Sequence, residues 1–309
     1  MKTTCFCPAK VNLFLEVTGR RPNGYHELST LFAKINLGDF LTVQVQPAAS
    51  TSISIHITGP HAAHIPTDSS NLIWKAAQVF LTHYALTAQI HLELEKNVPT
   101  GAGLGGGSSD AAGVLVALGK LFGKNPLDLL EPAARLGADV PLFLYPDTFL
   151  KGQGIGEKLT PVPAGDKLPY LVLIYPNTAV STKEVFGRMH VPQQAEILTN
   201  NSKLDTLIDV VRNGSPVEKW GPLLFNRLEE YVLPFVPSVK QALAALQEAN
   251  DGICIMSGSG STVFTLVGTE QNAKELAARL QHTKALVFPV AFYRGSTHAN
   301  YGDKSSSNS

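Results

Sequence analysis

The sequence predicts an α+β fold in two lobes, and three observations lead to it. Runs that alternate apolar and polar side chains, as antiparallel strands do, fill much of the first sixty residues. A glycine-rich segment at 101–107 then leads into an apolar helical segment. The second half reads as strand, helix, two strands, helix and strand, which is a ferredoxin-like order. We predict an N-terminal lobe at 1–159, a C-terminal lobe at 160–295, and a polar, disordered tail at 296–309.

The N-terminal lobe is predicted to be mostly antiparallel strand before the glycine-rich segment. Five strands are predicted, at 4–7, 11–17, 28–37, 40–45 and 52–57. Asp68, Ser69 and Ser70 precede a helical periodicity that begins near Asn71, so a capped helix is predicted there. Further along, Asp139 is expected at the start of a strand over 141–145.

The C-terminal lobe is predicted from buried strands and amphipathic helices. Strands are predicted at 170–175, 253–256, 262–267 and 285–292, and helices at 204–211, 238–249 and 270–280. The polar stretch 192–203 is predicted to be a surface loop. The turn 257–261, Ser-Gly-Ser-Gly-Ser, has the composition of a plain hairpin turn.

The segment 98–110, with the sequence VPTGAGLGGGSSD, carries the strongest functional signal. Glycine has no Cβ, so such a loop can take positive φ and bring backbone N–H groups close to an anion. Ser108 or Ser109 is the expected N-cap of a helix that ends near Gly123. A helix N-terminus behind free amides favours phosphate, whereas a flexible linker has no need of an apolar helix directly after it.

The familiar phosphate-loop classes do not fit this segment. Residues 101–106 match G-x-G-x-x-G, but the preceding 90–95 alternates like a half-solvated strand instead of a buried parallel one. No lysine follows the glycines, which excludes a Walker A loop. The H-R-D and D-F-G motifs of protein kinases are absent from the sequence. A third kind of phosphate loop remains.

The segment PTGAGLGGGSS at 99–109 resembles the central motif of the GHMP kinases. Together with PAKVNL at 8–13, GRRPNGYHE at 19–27 and LGADVP at 136–141, it resembles the 4-diphosphocytidyl-2-C-methyl-D-erythritol kinase family within that superfamily. The resemblance is dense over residues 5–145 and thinner beyond, where the segment 256–261 is its main anchor. It implies that the turn 257–261 closes over the glycine-rich segment, although a plain hairpin turn explains the composition equally well. It implies the two-lobed GHMP kinase fold, with a mixed sheet in the first lobe, and ATP-dependent phosphorylation of the 2-hydroxyl of a small substrate that carries a cytidine diphosphate group.

The resemblance also implies which residues handle ATP and the reaction. The expected phosphate-binding residues are Pro99, Gly101, Gly103, Leu104, Gly105, Gly106, Gly107, Ser108 and Ser109. Asp139 is expected to accept or orient the proton of the attacking hydroxyl, and Lys10 to steady Asp139 and the transferring phosphoryl group. Without the resemblance, a helix-end carboxylate and a solvated lysine would be the better interpretations. Mg²⁺ is expected with ATP, with Ser109 as a ligand, although N-capping alone also explains that serine.

The cytidine end of the substrate is expected to contact Asn12, Tyr25, His26 and Phe186. An aromatic face can stack on a pyrimidine and a neighbouring polar group can read its edge. The local alternatives are a polar strand position for Asn12, turn residues for Tyr25 and His26, and helix packing for Phe186. Two positions depart from the family pattern: Ala102 replaces a common glycine, and Arg227 stands where aspartate is usual.

The composition indicates which binding partners and which cellular location to expect. Twenty-five basic and 25 acidic residues give a formal net charge of zero, so neither nucleic acid nor a membrane surface is expected as a partner. The three cysteines are an odd number and favour a reducing compartment. Because the first motif begins at residue 8, a signal peptide is not expected and a cytoplasmic location is predicted. The oligomeric state is not set by the sequence.

Two other functions compete with this prediction. One is a GHMP-type kinase of another small alcohol, and the turn that contains Tyr25 and His26 argues against it. The other is a catalytically silent nucleotide-binding module, and the presence of both Lys10 and Asp139 argues against that.

Overall fold

The computed structural model describes residues 1–295, so the tail predicted at 296–309 lies outside the described residues. The strands are β1 (Lys2–Arg20), β2 (His26–Pro47), β3 (Ser52–Thr58), β4 (Ala88–Glu95), β5 (Phe149–Gly154), β6 (Lys158–Val162), β7 (Tyr170–Tyr175), β8 (Phe225–Asn226), β9 (Cys254–Met256), β10 (Val263–Val267) and β11 (Leu286–Ala291). The α-helices are α1 (Leu72–His83), α2 (Gly106–Phe122), α3 (Leu130–Leu136), α4 (Thr182–Arg188), α5 (Gln194–Arg212), α6 (Glu229–Val232), α7 (Pro237–Ala249) and α8 (Glu270–Arg279). Short 3₁₀ helices cover Pro126–Leu129, Pro141–Leu144, Val217–Lys219 and Gly221–Leu223.

The first sheet is mixed, as predicted. Its main path runs β3-β4-β2-β1-β8, and β5 and β6 extend it from β2. The β3–β4 and β1–β8 pairs are parallel, and the other pairs are antiparallel. Helices α1 and α2 cover one face, where Phe80 and Leu115 pack against strand residues such as Leu41.

The second sheet is antiparallel in the order β11-β7-β10-β9. Along the chain, β7, α7, β9, β10, α8 and β11 give the predicted ferredoxin-like order, with additional helices inserted after β7. Alternate residues of β7 face different cores. Leu171 and Leu173 pack toward the first sheet, whereas Val172 and Ile174 pack against α7 and α8.

A register shift in β1 decides which side chains reach the functional face. Pro8 pairs with Gly38 and Ala9 with Ile35, so β2 has two additional residues at this point. A Cβ on Gly38 would lie 2.5 Å from the Cys7 carbonyl oxygen, which explains a glycine there. Before the shift, Cys7 faces the core under α2; after it, alternate residues exchange faces, so Ala9 joins the core between the sheets. Lys10 and Asn12 therefore lie on the α2 side, until a second register shift after Asn12 places Phe14 in the core between the sheets.

Several predicted boundaries are wrong. β1 and β2 continue through the predicted breaks at Pro8 and Gly38, because a bulge absorbs the irregular pairing. Residues 194–203 are the first half of α5 and not a loop; Ile197 and Asn200 are buried there, whereas Leu198 is exposed. Asn71 itself caps α1 by accepting from the Ile73 amide. The segment after Asp139 is a 3₁₀ helix and not a strand.

The proposed boundary near residue 160 stays a prediction. β6 continues the first sheet to Val162, and Phe292 forms an isolated bridge with Ile35 of β2. Through residue 295, no helix is both long and apolar enough to cross a membrane.

Candidate active site

A cleft of about 1220 Å³ contains the residues that the sequence singled out. The glycine-rich segment, the middle of β1, the start of β2, helix α4 and the loop 257–260 all contribute to its wall. Sites of this kind are the first candidates for ligand binding.

Three glycines of the loop adopt left-handed backbone conformations. The φ angles of Gly101, Gly103 and Gly105 are 67°, 75° and 70°. Gly105 is the N-cap of α2, which ends at Gly123 as predicted. The predicted cap at Ser108 or Ser109 is wrong, because the left-handed glycine starts the helix three residues earlier.

The side chains of Lys10 and Asp139 lie close together beside this loop. The Lys10 Nζ lies 3.8 Å from Asp139 Oδ2 and donates to the Gly103 carbonyl oxygen at 2.9 Å. The lysine is buried, while about a third of the aspartate side chain (34%) is exposed to the cleft. Burial lowers the pKa of Lys10, and the neighbouring carboxylate opposes that change. The arrangement places one cation and one accessible carboxylate beside a helix N-terminus.

Asn12 lies at the same end of the cleft as Lys10 and Asp139. Its Oδ1 accepts from Lys10 Nζ at 2.9 Å, and its Nδ2 donates to Thr30 Oγ1 at 2.9 Å. In the sheet register, His26 pairs with Arg20, eight residues along β1 from Asn12. At about 3.3 Å per residue this is roughly 25 Å of strand. Asn12 and His26 are thus well separated along β1 although both line the cleft, and contact of Asn12 with the cytidine end of the substrate stays a prediction.

His26 and Phe186 form the other end of the cleft. Their rings are stacked, with centroids 5.3 Å apart and an interplanar angle of 28°. His26 is buried, and its Nε2 has no hydrogen-bond partner among the described residues. Burial, followed by the charge of Arg20, lowers the pKa of His26. The adjacent Tyr25 is 60% exposed at the cleft edge.

The loop 257–261 packs directly on the glycine-rich segment. Ser257 Oγ donates to the Gly103 carbonyl oxygen at 3.2 Å, and the Thr262 amide donates to the Ala102 carbonyl oxygen at 3.1 Å. A Cβ on Gly103 would lie 2.5 Å from the Ser257 carbonyl oxygen. Of the two interpretations of this turn, closure over the glycine-rich segment is confirmed.

Asn226 anchors the same loop, a role that the sequence did not reveal. Its Nδ2 donates to the carbonyl oxygens of Met256 and Gly258, at 2.7 and 2.8 Å. The neighbouring Arg227, which departs from the family pattern, forms a two-pronged ion pair with the fully buried Glu16, with both N–O distances 2.8 Å. Arg227 thus ties the start of α6 to β1 and makes no contact with the cleft.

The comparisons with known proteins agree with this geometry. The family model for the GHMP kinases N terminal domain matches residues 71–147, and the model for GHMP kinases C terminal matches 207–285. A 4-diphosphocytidyl-2-C-methyl-D-erythritol kinase from Deinococcus radiodurans is 37% identical over 280 residues, covering 89% of this chain and 87% of that protein. The kinase of the same name from Methylacidiphilum infernorum is 39% identical, covering 86% of each.

This chain belongs to the 4-diphosphocytidyl-2-C-methyl-D-erythritol kinase family.

Solved structures agree with membership of this kinase family. A crystal structure of 4-(cytidine 5'-diphospho)-2C-methyl-D-erythritol kinase superposes with a TM-score of 0.71 at 33% identity, covering 94% of this chain and 99% of that one. Homoserine kinase from Cytophaga hutchinsonii reaches a TM-score of 0.75 at 17% identity, covering 94% and 95% of the two chains, which shows the shared fold alone. The predicted family, fold class and ATP-dependent small-molecule kinase activity are confirmed.

Within this kinase, the cleft brings together nearly all of the predicted site residues. Those that line it are Lys10, Asn12, Tyr25, His26, Pro99, Gly101, Gly103, Leu104, Gly105, Gly106, Gly107, Ser108, Asp139 and Phe186. Ser109 is the exception: it is buried, it does not line the cleft, and its hydroxyl has no hydrogen-bond partner among the described residues. The sequence analysis missed Asp39, Lys96 and Asp110, which form a buried group of charges beneath the glycine-rich segment.

Proposed function

We propose that this enzyme transfers the γ-phosphoryl group of ATP to the 2-hydroxyl of 4-diphosphocytidyl-2-C-methyl-D-erythritol, a step in the non-mevalonate isoprenoid precursor pathway. One observation carries the proposal: a single cleft joins the glycine-rich segment, the Lys10–Asp139 pair and the His26–Phe186 pair. The names of the relatives support the substrate. The proposal includes a cytoplasmic location, supported by three free, buried cysteines.

The proposed roles at the phosphate end follow from charge and position. Loop amides at the start of α2 bind the ATP phosphates, and the helix dipole favours their negative charge. Asp139 takes the hydroxyl proton as the hydroxyl oxygen attacks the γ-phosphorus and ADP departs. Lys10 stabilises the charge on the transferring group, and Asn12 orients the Lys10 ammonium through their 2.9 Å hydrogen bond.

The proposed roles at the substrate end rest on an unpaired buried nitrogen. Buried polar atoms normally have hydrogen-bond partners, so His26 Nε2 is free to read the edge of a base. A base between the His26 and Phe186 rings would need about two van der Waals separations, roughly 7 Å, and the centroids are only 5.3 Å apart. We therefore assign Phe186 to packing against the His26 ring and not to contact with the base. Tyr25, at the cleft edge, is the ring that we assign to stacking.

Mg²⁺ fits this site as a cation that arrives with ATP. Through residue 295, no cluster of three or more His, Cys, Asp or Glu residues could hold a metal by itself. Mg²⁺ prefers oxygen ligands and keeps several waters, so phosphate oxygens and one protein hydroxyl suffice. Ser108 lines the cleft and would supply that hydroxyl; Ser109 is buried with its hydroxyl unpartnered among the described residues, and its role as a ligand stays a prediction. When bound, the ion neutralises charge on the phosphates.

The decisive experiment is an ADP-release assay against a panel of alcohols. We expect turnover with 4-diphosphocytidyl-2-C-methyl-D-erythritol and little or none with homoserine, mevalonate or galactose. Turnover of one of those three instead would show a kinase of another small alcohol. Binding of an ATP analogue without turnover of any acceptor would show a silent nucleotide-binding module.

A further inference from the structure

Three charged side chains lie buried beneath the glycine-rich segment. Asp39 belongs to β2, Lys96 follows β4, and Asp110 belongs to the first half of α2. No more than 2% of any of these residues is exposed. We call Asp39, Lys96 and Asp110 the buried trio. Charged residues are almost never fully buried unless they are paired, so this placement requires an explanation.

Lys96 links the other two members and supports the first residue of α2. Its ammonium group donates to Asp39 Oδ2, and to Asp110 Oδ2 at 2.7 Å. A Cβ on Gly106 would lie 2.9 Å from the Lys96 Nζ and 3.0 Å from the Val98 Cγ1, so a side chain there would displace the ammonium group. The ammonium therefore lies directly under the amides at the start of α2.

The carboxylate of Asp39 accepts more hydrogen bonds than the carboxylate of Asp110. Asp39 also accepts from the backbone amides of Asn97 and Val98, at 2.6 and 2.8 Å. It thereby fixes the chain that enters the glycine-rich segment. Asp110 has Lys96 as its donor, and its Oδ1 is buried with no partner in the part of the chain that the structure describes. Asp39 thus ties β2 to the entry of the loop, and Lys96 ties both to the helix that leaves it.

We infer that the buried trio is a positioning device for ATP, in which Lys96 and Asp39 fix the glycine-rich segment between β4 and α2 and Asp110 supplies the helix-side anchor. This rests on the ATP-binding part of the proposed function. Lys96 and Asp110 also border the cleft, but none of the three residues needs to touch the transferred group, because the device acts through the backbone amides at the start of α2. Displacing reacting groups by about 1 Å can cost on the order of 10²-fold in activity, and the same precision applies to amides that must converge on phosphates.

The hydrogen bonds of the buried trio predict which substitution causes the most damage. Lys96→Met removes both ion pairs and leaves two buried carboxylates uncompensated. Asp39→Asn keeps the shape, but its NH₂ group replaces one of two oxygens that both accept hydrogen bonds. Asp110→Asn keeps an oxygen for Lys96 and changes only the oxygen without a partner. The expected order of damage is Lys96, then Asp39, then Asp110.

The test measures two affinities and the kinetic constants of the full-length enzyme. Titrations with β,γ-imido ATP and with 4-diphosphocytidyl-2-C-methyl-D-erythritol are made on the wild type and on the three variants. Lys96→Met should weaken the ATP analogue by about 10²-fold and raise the KM for ATP, with kcat at saturating ATP near wild type. Affinity for the diphosphocytidyl alcohol should not change. Lys274→Met, which removes an exposed ion pair on α8, is the matched control and should change neither affinity.

Two results would overturn the inference. One is a folded Lys96→Met or Asp39→Asn enzyme that binds the analogue as tightly as the wild type. The other is an equal loss of affinity for both ligands, which would indicate general loosening of the fold. If Lys96→Met does not fold, the ranking of Asp39→Asn above Asp110→Asn decides. Analogue binding needs no acceptor, so an incorrect acceptor assignment would leave this result interpretable.

Discussion

The two ends of the cleft differ in how completely the protein satisfies its own polar groups. At the phosphate end, Lys10 has Asn12, Gly103 and Asp139 as partners, and the loop 257–261 packs on Gly103. At the substrate end, His26 Nε2 has no partner in the described part of the chain, and Tyr25 is mostly exposed.

This difference indicates that phosphoryl transfer and base recognition place different demands on the protein. Phosphoryl transfer requires positions that are fixed before ATP arrives, because catalysis there is mainly positioning and charge stabilisation. Recognition of a base requires hydrogen-bonding atoms that the protein itself leaves free, because a ligand lacking the matching group then leaves a buried polar atom unpaired. Substitutions of Asp139, Gly103, Tyr25 and His26 test this contrast.

The largest effect is expected at Asp139. Asp139→Asn keeps the shape and removes the charge, so kcat should fall by about 10² to 10⁴-fold, the usual contribution of a general base. Affinities for both ligands should stay close to those of the wild type. Asp128→Asn, at an exposed position, is the control for removing a surface carboxylate. A folded Asp139→Asn enzyme with normal turnover would assign Asp139 a structural role.

The second prediction concerns the fixed loop. Gly103→Ala adds a methyl at φ 75°, 2.5 Å from the Ser257 carbonyl oxygen, so the free energy of unfolding should fall by roughly 1 to 3 kcal/mol. Gly107→Ala is the matched variant, because nothing lies within 4 Å of its Cβ position. Denaturant unfolding of the ligand-free proteins measures both. Equal stability of the two variants would contradict the contact between the loops.

The third prediction tests the open end of the cleft. Tyr25→Ala should weaken the diphosphocytidyl alcohol by about 1 to 3 kcal/mol, the range for loss of one stacked base, and leave ATP affinity unchanged. Tyr25→Phe should lose much less, because the ring face survives. Titration of each variant with the alcohol and with an ATP analogue provides the comparison. If the phenylalanine variant were as weak as the alanine variant, stacking would not be the role of Tyr25.

The smallest effect concerns His26 and pH. Its folded-state pKa is lowered from 6.5 by burial, so between that lowered pKa and 6.5 the unfolded chain binds more protons than the folded one. The contribution of neutral His26 to the free energy of unfolding is therefore fully present above pH 6.5, and it is lost as the pH falls through the lowered pKa. Unfolding free energies measured from pH 7 down to pH 5 should fall less steeply for His26→Gln than for wild type, with exposed His83→Gln as control. Parallel curves for wild type and His26→Gln would contradict this.

The sequence predicted the features that depend on local chemistry. The range of β7 follows from a continuous apolar run, which is typical of a buried strand, and the end of α2 at Gly123 follows from a left-handed glycine cap; both match the structure. The glycine-rich segment was identified for the same reason, since positive φ and a helix N-terminus are encoded within a few neighbouring residues. The family resemblance then assigned Lys10 and Asp139, which local patterns alone would not have favoured.

The features that sequence reasoning missed depend on distant partners. Lys96 and Asp39 are 57 residues apart in the chain, and their pairing exists only after β2 and β4 align. The first half of α5 is polar, and its helical state is favoured by burial of Ile197 and Asn200. Tyr25 and His26 leave the same turn, but only the strand register shows that His26 turns inward.

The cleft is continuous from the glycine-rich segment to His26, and this has a consequence for inhibitor design. Fragments that bind each end weakly could be tethered through the space beside Lys10. Tethering makes the second contact intramolecular, so the gain depends on the effective concentration set by linker length and not on new contacts. A linker matched to the spacing of the two ends should bind best, and a shorter one should lose the gain entirely. Such a molecule would also distinguish this enzyme from other ATP-dependent kinases, because the free nitrogen of His26 lies at its far end.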